Sequence, residues 1–119
     1  MILIVEDDAD NASALRDVLQ DEGYVVTRAN NGAEALRQLK TGQLPGLILL
    51  DLMMPEMDGS QLVKAVREEP SFAHIPLVVL SASGRAAERT AALAVDRFLH
   101  KPVDLTQLLD VINTYYREP

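Results

Sequence analysis

Carboxylates, a hydroxyl and an ammonium stand at separate points of the chain, each at the end of a short apolar run. The four places are Glu6-Asp7-Asp8 after Ile2 to Val5, Asp51 after Leu47 to Leu50, Ser81 within "IPLVVLSAS" and Lys101 after "RFLH". Burying a lone ionised carboxylate is costly unless a cation or hydrogen bonds compensate its charge. Asp51 is therefore either a loop residue or a carboxylate held for a positively charged partner.

These residue types suit metal-assisted phosphoryl chemistry if they converge. Clustered carboxylates repel one another, and a cation is needed to keep them all ionised. Oxygen ligands with open coordination positions suit Mg²⁺, for which Mn²⁺ can substitute. An aspartate between such a metal and Lys101 can attack a phosphoryl group, while the metal, the ammonium and the Ser81 hydroxyl stabilise its oxygens.

Apolar runs and helical patterns alternate along the chain and predict the elements that must position these residues. We expect strands at residues 2–5, 24–29, 47–50, 75–83 and 97–100, and helices at 10–22, 30–42, 60–69, 86–94 and 104–116. Five βα units in series predict a parallel sheet with right-handed crossovers and helices on both faces. The length suits a flavodoxin-like, doubly wound α/β fold, whose sites lie beyond the carboxyl ends of the strands.

Composition narrows the class of protein. The 119 residues predict one domain, 1–119, and the absence of cysteine excludes disulfides and thiolate chemistry. No run of apolar residues is long enough for a transmembrane helix, and the N-terminus lacks the basic region of a signal peptide. A net charge of −7 argues against direct binding of nucleic acid. We therefore expect a cytoplasmic protein that binds neither membranes nor nucleic acid.

Four segments together resemble the receiver domain of two-component response regulators, and they span essentially the whole chain. They read "ILIVEDD", "LILLDLMMPEMDG", "LVVLSAS" and "FLHKPVD". The resemblance implies a five-stranded parallel sheet in the order 2-1-3-4-5. It also implies that an aspartate accepts a phosphoryl group, with Mg²⁺ bound, from the phosphohistidine of a sensor histidine kinase or phosphotransfer protein. Such a domain acts on its own phosphorylation only and turns over no external substrate.

The resemblance assigns roles to the acidic residues. By position, Asp51 resembles the phospho-acceptor, and Glu6 and Asp7 resemble the family's acidic pair. Asp7 is the expected direct metal ligand, and Glu6 is expected to act partly through water. The backbone carbonyl of Met53 is the fourth expected metal contact, together with the carboxylate of Asp51.

The remaining roles concern the response to phosphorylation. Ser81 resembles the switch hydroxyl, Lys101 the lysine that contacts the phosphoryl group, and Phe98 the aromatic residue that changes rotamer. The bond from Lys101 to Pro102 resembles one that is usually cis in the family. Met53 and Ser83 occupy two further positions of interest. In the family, the residues at these positions border the phosphoryl group and modulate its hydrolysis.

Several of these residues have a plainer structural interpretation. Asp8 and Asp10 suit the positive end of a helix dipole. Ser81 and Lys101 are also common residue types at strand ends and turns, and an aromatic such as Phe98 is ordinarily a core residue. His74 and His100 show no metal-ligand spacing, and we interpret both as structural.

The chain also departs from the family pattern. The segment between Ser81 and Lys101 is slightly shortened, and Ala94-Val95 replaces a usual glycine-alanine pair. A receiver-fold interaction module that works without phosphorylation therefore stays open as an alternative. A Mg²⁺-dependent phosphohydrolase is less favoured, because it needs a second acid soon after Asp51 and residues 52–54 provide none. The downstream partner or output domain is unknown from the sequence.

Overall fold

The computed structural model describes residues 1–52, 57–81 and 95–117 of the chain. The strands are β1 (Ile2–Val5), β2 (Val26–Ala29), β3 (Leu47–Leu52), β4 (Leu77–Ser81) and β5 (Arg97–His100). The helices are α1 (Ala9–Asp21), α2 (Gly32–Lys40), α3 (Met57–Glu68) and α4 (Leu105–Tyr115). The helix predicted at 86–94 lies outside the described residues. Within the described ranges, no helix is long and apolar enough to cross a membrane.

The strands form one parallel sheet in the order β2-β1-β3-β4-β5. This order confirms the predicted flavodoxin-like fold. β2 pairs with one edge of β1, whereas β3, β4 and β5 are added in turn on the other side of β1. The order therefore reverses between β1 and β3, and the crevice at their carboxyl ends is where such sheets place their sites.

The buried apolar residues of the strands divide between two layers, as expected for a parallel sheet covered on both faces. One layer lies between the sheet and α2 and α3; it includes Leu3, Val5, Ile48, Leu50, Leu39, Leu62 and Val66. The other lies between the sheet and α1 and α4; it includes Ile2, Ile4, Leu47, Leu49, Leu19, Leu108 and Ile112. Helices on both faces are therefore confirmed.

Local signals explain where the helices begin and end. Asp8, Asn31 and Asp104 are the N-cap residues of α1, α2 and α4, and each side chain accepts a hydrogen bond from a backbone N–H of the first turn. Just beyond the C-terminal end of α1, Gly23 has a φ of +95°, a conformation that favours glycine. Asp8 thus lies at the N-terminal end of α1, where its charge suits the helix dipole as predicted, and its side chain also caps the helix.

Three predicted strand boundaries were wrong. β4 begins at Leu77 and not at residue 75, because Leu77 is the first residue that pairs with β3. β2 begins at Val26 and not at residue 24, because Val26 is the first residue that pairs with β1. β3 continues to Leu52, since Asp51 and Leu52 pair with Leu80 and Ser81 of β4. Asp51 consequently lies inside a strand and not in the loop after it.

The end of α4 is held against the start of β3 by a close backbone approach. The Arg117 N–H donates to the Gly46 carbonyl at 3.0 Å. A Cβ atom at position 46 would lie 2.2 Å from the Arg117 carbonyl oxygen and 2.9 Å from the Tyr116 ring. Only glycine therefore fits between β3 and this end of α4, which fixes the helix across one face of the sheet.

Candidate functional site

Asp51 is a buried carboxylate paired with a lysine from another part of the sheet. Its side chain is 3 % exposed, and its Oδ1 forms an ion pair with Nζ of Lys101. This oxygen has no other hydrogen-bond partner among the described residues. The backbone of Asp51 is fixed by its pairing with Leu80. The ammonium therefore compensates the charge of a carboxylate that the strand holds in place.

Glu6 is a second buried carboxylate at the same edge of the sheet. It is 1 % exposed, and its Oε1 accepts hydrogen bonds from the Asp8 N–H at 3.2 Å and from Asn11 Nδ2 at 3.4 Å. Its Oε2 is buried with no hydrogen-bond partner in the described part of the chain. Burial, followed by the charge of Asp51, raises the pKa of Glu6 from 4.5 to about 7, against smaller lowering effects of Asn11, Asp8 and Lys101.

The rest of the acidic run is exposed. Asp7 faces solvent beside the buried Glu6. Asp8 Oδ1 accepts hydrogen bonds from the backbone N–H groups of Asp10 at 2.9 Å and Asn11 at 3.1 Å. This carboxylate therefore caps α1. Asp7 and Glu6 remain the candidate metal ligands of this run, and their metal-binding role stays a prediction.

β4 and β5 bring Ser81 and Lys101 to the same edge. Ser81 is fully buried and ends β4, opposite His100 of β5. Its carbonyl accepts a hydrogen bond from the Lys101 N–H at 2.9 Å, so the pairing continues one residue past β5. The Lys101-Pro102 bond is cis, as the resemblance implies. The predicted convergence of Asp51, Ser81 and Lys101 at neighbouring strand ends is therefore found.

The predicted switch aromatic lies next to this edge. Phe98 is half-buried on β5, opposite Val79, and packs against the layer under α2 and α3. Its ring meets the exposed His100 edge-on, with centroids 6.4 Å apart and an interplanar angle of 69°. His100 Nδ1 lies 2.9 Å from the Lys101 carbonyl, and His74 is exposed in the loop before β4. The structural role of both histidines and the rotamer change of Phe98 remain predictions.

The donor set fits a hard cation. Two buried carboxylates, Glu6 and Asp51, interact electrostatically, and one buried oxygen of Glu6 has no hydrogen-bond donor among the described residues. A divalent ion offsets this repulsion and uses carboxylate oxygens as ligands. Within the described ranges, no group of three or more acidic, histidine or cysteine side chains is already arranged around a common metal position. Met53, whose carbonyl is an expected ligand, and Ser83 lie outside the described residues.

An open cavity of about 520 Å³ between α1 and α4 leads to the ion pair. Asp51, Lys101 and Asn11 line one part of it, and the remainder is mostly apolar; this part includes Ala14, Leu15, Val18, Val103, Leu105 and Leu108. The carboxylate of Asp51 is thus reached from the side of α1 and α4, although it is almost completely buried.

Sequence reasoning missed two residues that shape this edge. Asn11 donates to the Glu6 side chain, and Arg28 of β2 donates to the backbone carbonyls of Glu6 and Asp7. Asn11 lies in the first turn of α1, five residues after Glu6, and this short separation is the sequence signal for their proximity. Arg28 gives a weaker signal, because only the pairing of β2 with β1 brings it near the acidic run.

Comparison with known proteins agrees with this geometry. The profile of the response regulator receiver domain matches residues 2–113. The polar-differentiation response regulator DivK of Brucella anthropi is 30 % identical over 116 residues, which are 96 % of this chain and 94 % of that protein.

Two solved structures extend the comparison. A response regulator described as putative from Chloroflexus aurantiacus matches with a TM-score of 0.87 and 34 % identity, over 96 % of this chain and 94 % of that one. The receiver domain of a sensor histidine kinase from Pseudomonas aeruginosa PAO1, with a magnesium ion coordinated in its active-site cleft, matches with a TM-score of 0.86 and 26 % identity over the same shares. On its profile match, fold and relatives, the chain belongs to the family of response regulator receiver domains, which serve phosphorylation-based two-component signalling.

Proposed function

We propose that this chain is a phosphorylation-activated switch in which Asp51 accepts the phosphoryl group. The observation that carries the proposal is the ion pair of Asp51 and Lys101 at the carboxyl end of the sheet. A carboxylate fixed in a strand and compensated by an ammonium is oriented for attack and needs little rearrangement as the reaction begins. Glu6 is buried beside Asp51, and one of its oxygens lacks a donor within residues 1–52, 57–81 and 95–117; both features support a cation on the other side of Asp51.

The cation we propose is Mg²⁺, with Mn²⁺ as a substitute. Asp7 and Asp51 would bind it directly, Glu6 partly through water, and Met53 through its carbonyl. When bound, the metal supplies positive charge to the phosphoryl oxygens and to the clustered carboxylates. The magnesium ion in the relative from Pseudomonas aeruginosa supports this choice.

The proposed step is a transfer from phosphohistidine. An Asp51 carboxylate oxygen attacks phosphorus and forms the P–O bond, while the P–N bond breaks and its electron pair returns to the imidazole. Lys101 offsets charge on the acceptor and then on the phosphoryl oxygens, and the Ser81 hydroxyl donates to one of them. Later attack of water on the acyl phosphate releases inorganic phosphate and restores the carboxylate.

We also propose how the chain takes part in signalling. Its phosphoryl donor is a sensor histidine kinase or a phosphotransfer protein, and it turns over no external substrate. Phosphorylation shifts an equilibrium between two conformations, and Ser81 and Phe98 connect the phosphoryl group to the partner surface. Met53 and Ser83 modulate the lifetime of the acyl phosphate. The protein works in the cytoplasm without binding nucleic acid or membranes itself.

The test is phosphorylation with acetyl phosphate, followed by intact mass. Wild-type protein is incubated with Mg²⁺ or with excess chelator, beside Asp51→Asn and the exposed control Asp17→Asn. We expect one phosphoryl group on the wild type and on Asp17→Asn with Mg²⁺, and none on Asp51→Asn or in chelator.

A second donor separates the alternatives. If acetyl phosphate gives no product, a phosphorylated histidine phosphotransfer domain is supplied instead. Transfer from that domain to Asp51 supports the switch. Failure with both donors, in folded protein, contradicts the proposal and favours an interaction module that works without phosphorylation.

A further inference from the structure

Arg28 connects β2 to the acidic turn between β1 and α1. Its Nε and Nη2 donate to the Glu6 carbonyl oxygen at 3.1 and 2.9 Å, and Nη2 also lies 3.3 Å from the Asp7 carbonyl oxygen. The guanidinium therefore contacts the main chain of the two residues proposed to face the cation, and these hydrogen bonds use backbone oxygens and leave both carboxylates available.

The position of Arg28 in the sheet explains how it reaches the turn. It pairs with Ile4, two residues before Glu6, so its side chain extends along the strand direction beyond the end of β1. At the end of the paired region of β1 and β2, the Glu6 N–H donates to the Ala29 carbonyl at 3.0 Å. Past this contact, β1 no longer pairs with β2, and the side chain of Arg28 continues the connection.

Arg28 is itself anchored from a second element. Its carbonyl accepts a hydrogen bond from Gln38 Nε2 of α2 at 2.9 Å. The residue is half-buried, and a planar guanidinium that makes several hydrogen bonds in a fixed fork loses them when a lysine replaces it. The contact thus has the rigidity that orienting another residue requires.

We propose that Arg28 is a positioning residue for the metal-binding carboxylates of Glu6 and Asp7. By holding the two backbone carbonyls, it fixes the turn and so the directions in which the side chains of both residues leave it. Removing a group that hydrogen-bonds to a metal-ligating residue and orients it commonly lowers metal affinity about 10–100-fold. This inference rests on the proposed function, because the cation belongs to that proposal.

The experiment compares Arg28→Met and Arg28→Lys with a matched control. Arg28→Met keeps the aliphatic stem and removes the donors, whereas Arg28→Lys keeps the charge without the fork. Arg16→Met is the control, since it removes the same positive charge from an exposed position on α1. Free Mn²⁺ is measured by its paramagnetic resonance at a temperature where every variant is folded. Amide hydrogen exchange of residues 6–11 is measured in metal-free protein.

We expect Arg28→Met to weaken Mn²⁺ binding about 10-fold or more and to accelerate exchange in the turn. We expect the Mn²⁺ affinity and exchange rate of Arg28→Lys to lie between those of Arg28→Met and the wild type. We expect both quantities in Arg16→Met to match the wild type. The proposal is overturned if Arg28→Met, or Arg28→Lys should the methionine variant not fold, leaves the Mn²⁺ affinity unchanged, whatever its effect on exchange. It is overturned equally if Arg16→Met weakens binding as much, since the effect is then not specific to the hydrogen bonds of Arg28.

The two readouts distinguish this inference from the proposed function. If wild-type protein binds no Mn²⁺, the proposed cation site is wrong, and the exchange data alone then decide whether Arg28 holds the turn. If wild-type protein binds Mn²⁺ and the Arg28 variants bind it equally well, only the positioning role fails.

Discussion

Lys101 and Asp51 form an ion pair across β4, although they belong to segments that do not pair with each other. β3 and β5 both pair with β4, and the Lys101 N–H bonded to the Ser81 carbonyl extends the β5 pairing by one residue. The lysine thus reaches the carboxylate over the end of the strand between them. The sheet order itself creates the charged pair.

The first prediction concerns the stability of this pair. Lys101→Met leaves the Asp51 carboxylate buried without its cation, and breaking a buried pair in this way is destabilising. Because the lysine side chain is 24 % exposed, we expect the free energy of unfolding to fall by only about 1–2 kcal/mol. Urea denaturation of metal-free protein measures this change.

A double-mutant cycle identifies the cause. In the Asp51→Asn background, Lys101→Met is expected to cost much less, since the acceptor is no longer charged. Lys64→Met, at an exposed position of α3, controls for the loss of a lysine. Equal costs in the two backgrounds would show that the ion pair does not contribute to stability.

The second prediction concerns pH. The pKa of Glu6 in the folded protein, about 7, lies above its ordinary value of 4.5. The folded state therefore binds more protons than the unfolded state between these values, and this residue lowers the stability of metal-free protein as pH rises through the window. Glu6→Gln does not titrate, so its stability relative to the wild type should increase from about pH 4.5 to about pH 7, with an upper bound of about 3 kcal/mol.

Thermal or urea unfolding of both proteins across this pH range, in chelator, measures the difference. Added Mg²⁺ should reduce it at pH 7, because the cation would stabilise ionised Glu6 in the wild type. A difference between the two proteins that stays constant with pH would contradict the raised pKa.

The third prediction concerns the contacts of Asp96, the residue that precedes β5. Asp96 Oδ2 accepts from the buried Leu77 N–H at 2.7 Å and forms an ion pair with Arg67 at 2.8 Å. Asp96→Ala leaves that N–H without its acceptor, and we expect a loss of about 1–3 kcal/mol in unfolding free energy. Asp96→Asn retains an acceptor oxygen and should lose less than half as much. If the asparagine and alanine variants are equally unstable in urea, the hydrogen bond to Leu77 is not the cause.

Much of the site follows from the sequence because it depends on local signals. Short apolar runs predict the strands, parallel strands share a carboxyl edge, and Asp51, Ser81 and Lys101 each stand at such an edge. The pairing of β3 with β4 extends the strand past Asp51. That extension depends on a neighbouring strand, which a pattern of apolar residues cannot show.

Contacts between distant residues explain what the sequence did not predict. The burial of Glu6 beside the exposed Asp7 depends on how the turn leaves β1, and three consecutive acidic residues look alike in the sequence. The hydrogen bonds of Arg28 to backbone carbonyls join positions 22 and 21 residues apart. Because any residue can supply a backbone carbonyl as the acceptor, no sequence motif indicates such bonds.

The most direct test of the account locates the phosphoryl group. Protein phosphorylated in the presence of Mg²⁺ is reduced with borohydride, which converts an aspartyl phosphate to homoserine, and peptides are sequenced by tandem mass spectrometry. The account predicts homoserine at position 51, with Asp7 and Asp8 unmodified and no product in chelator. Homoserine at another aspartate, or a phosphoryl group that survives reduction on a hydroxyl or histidine, would contradict it.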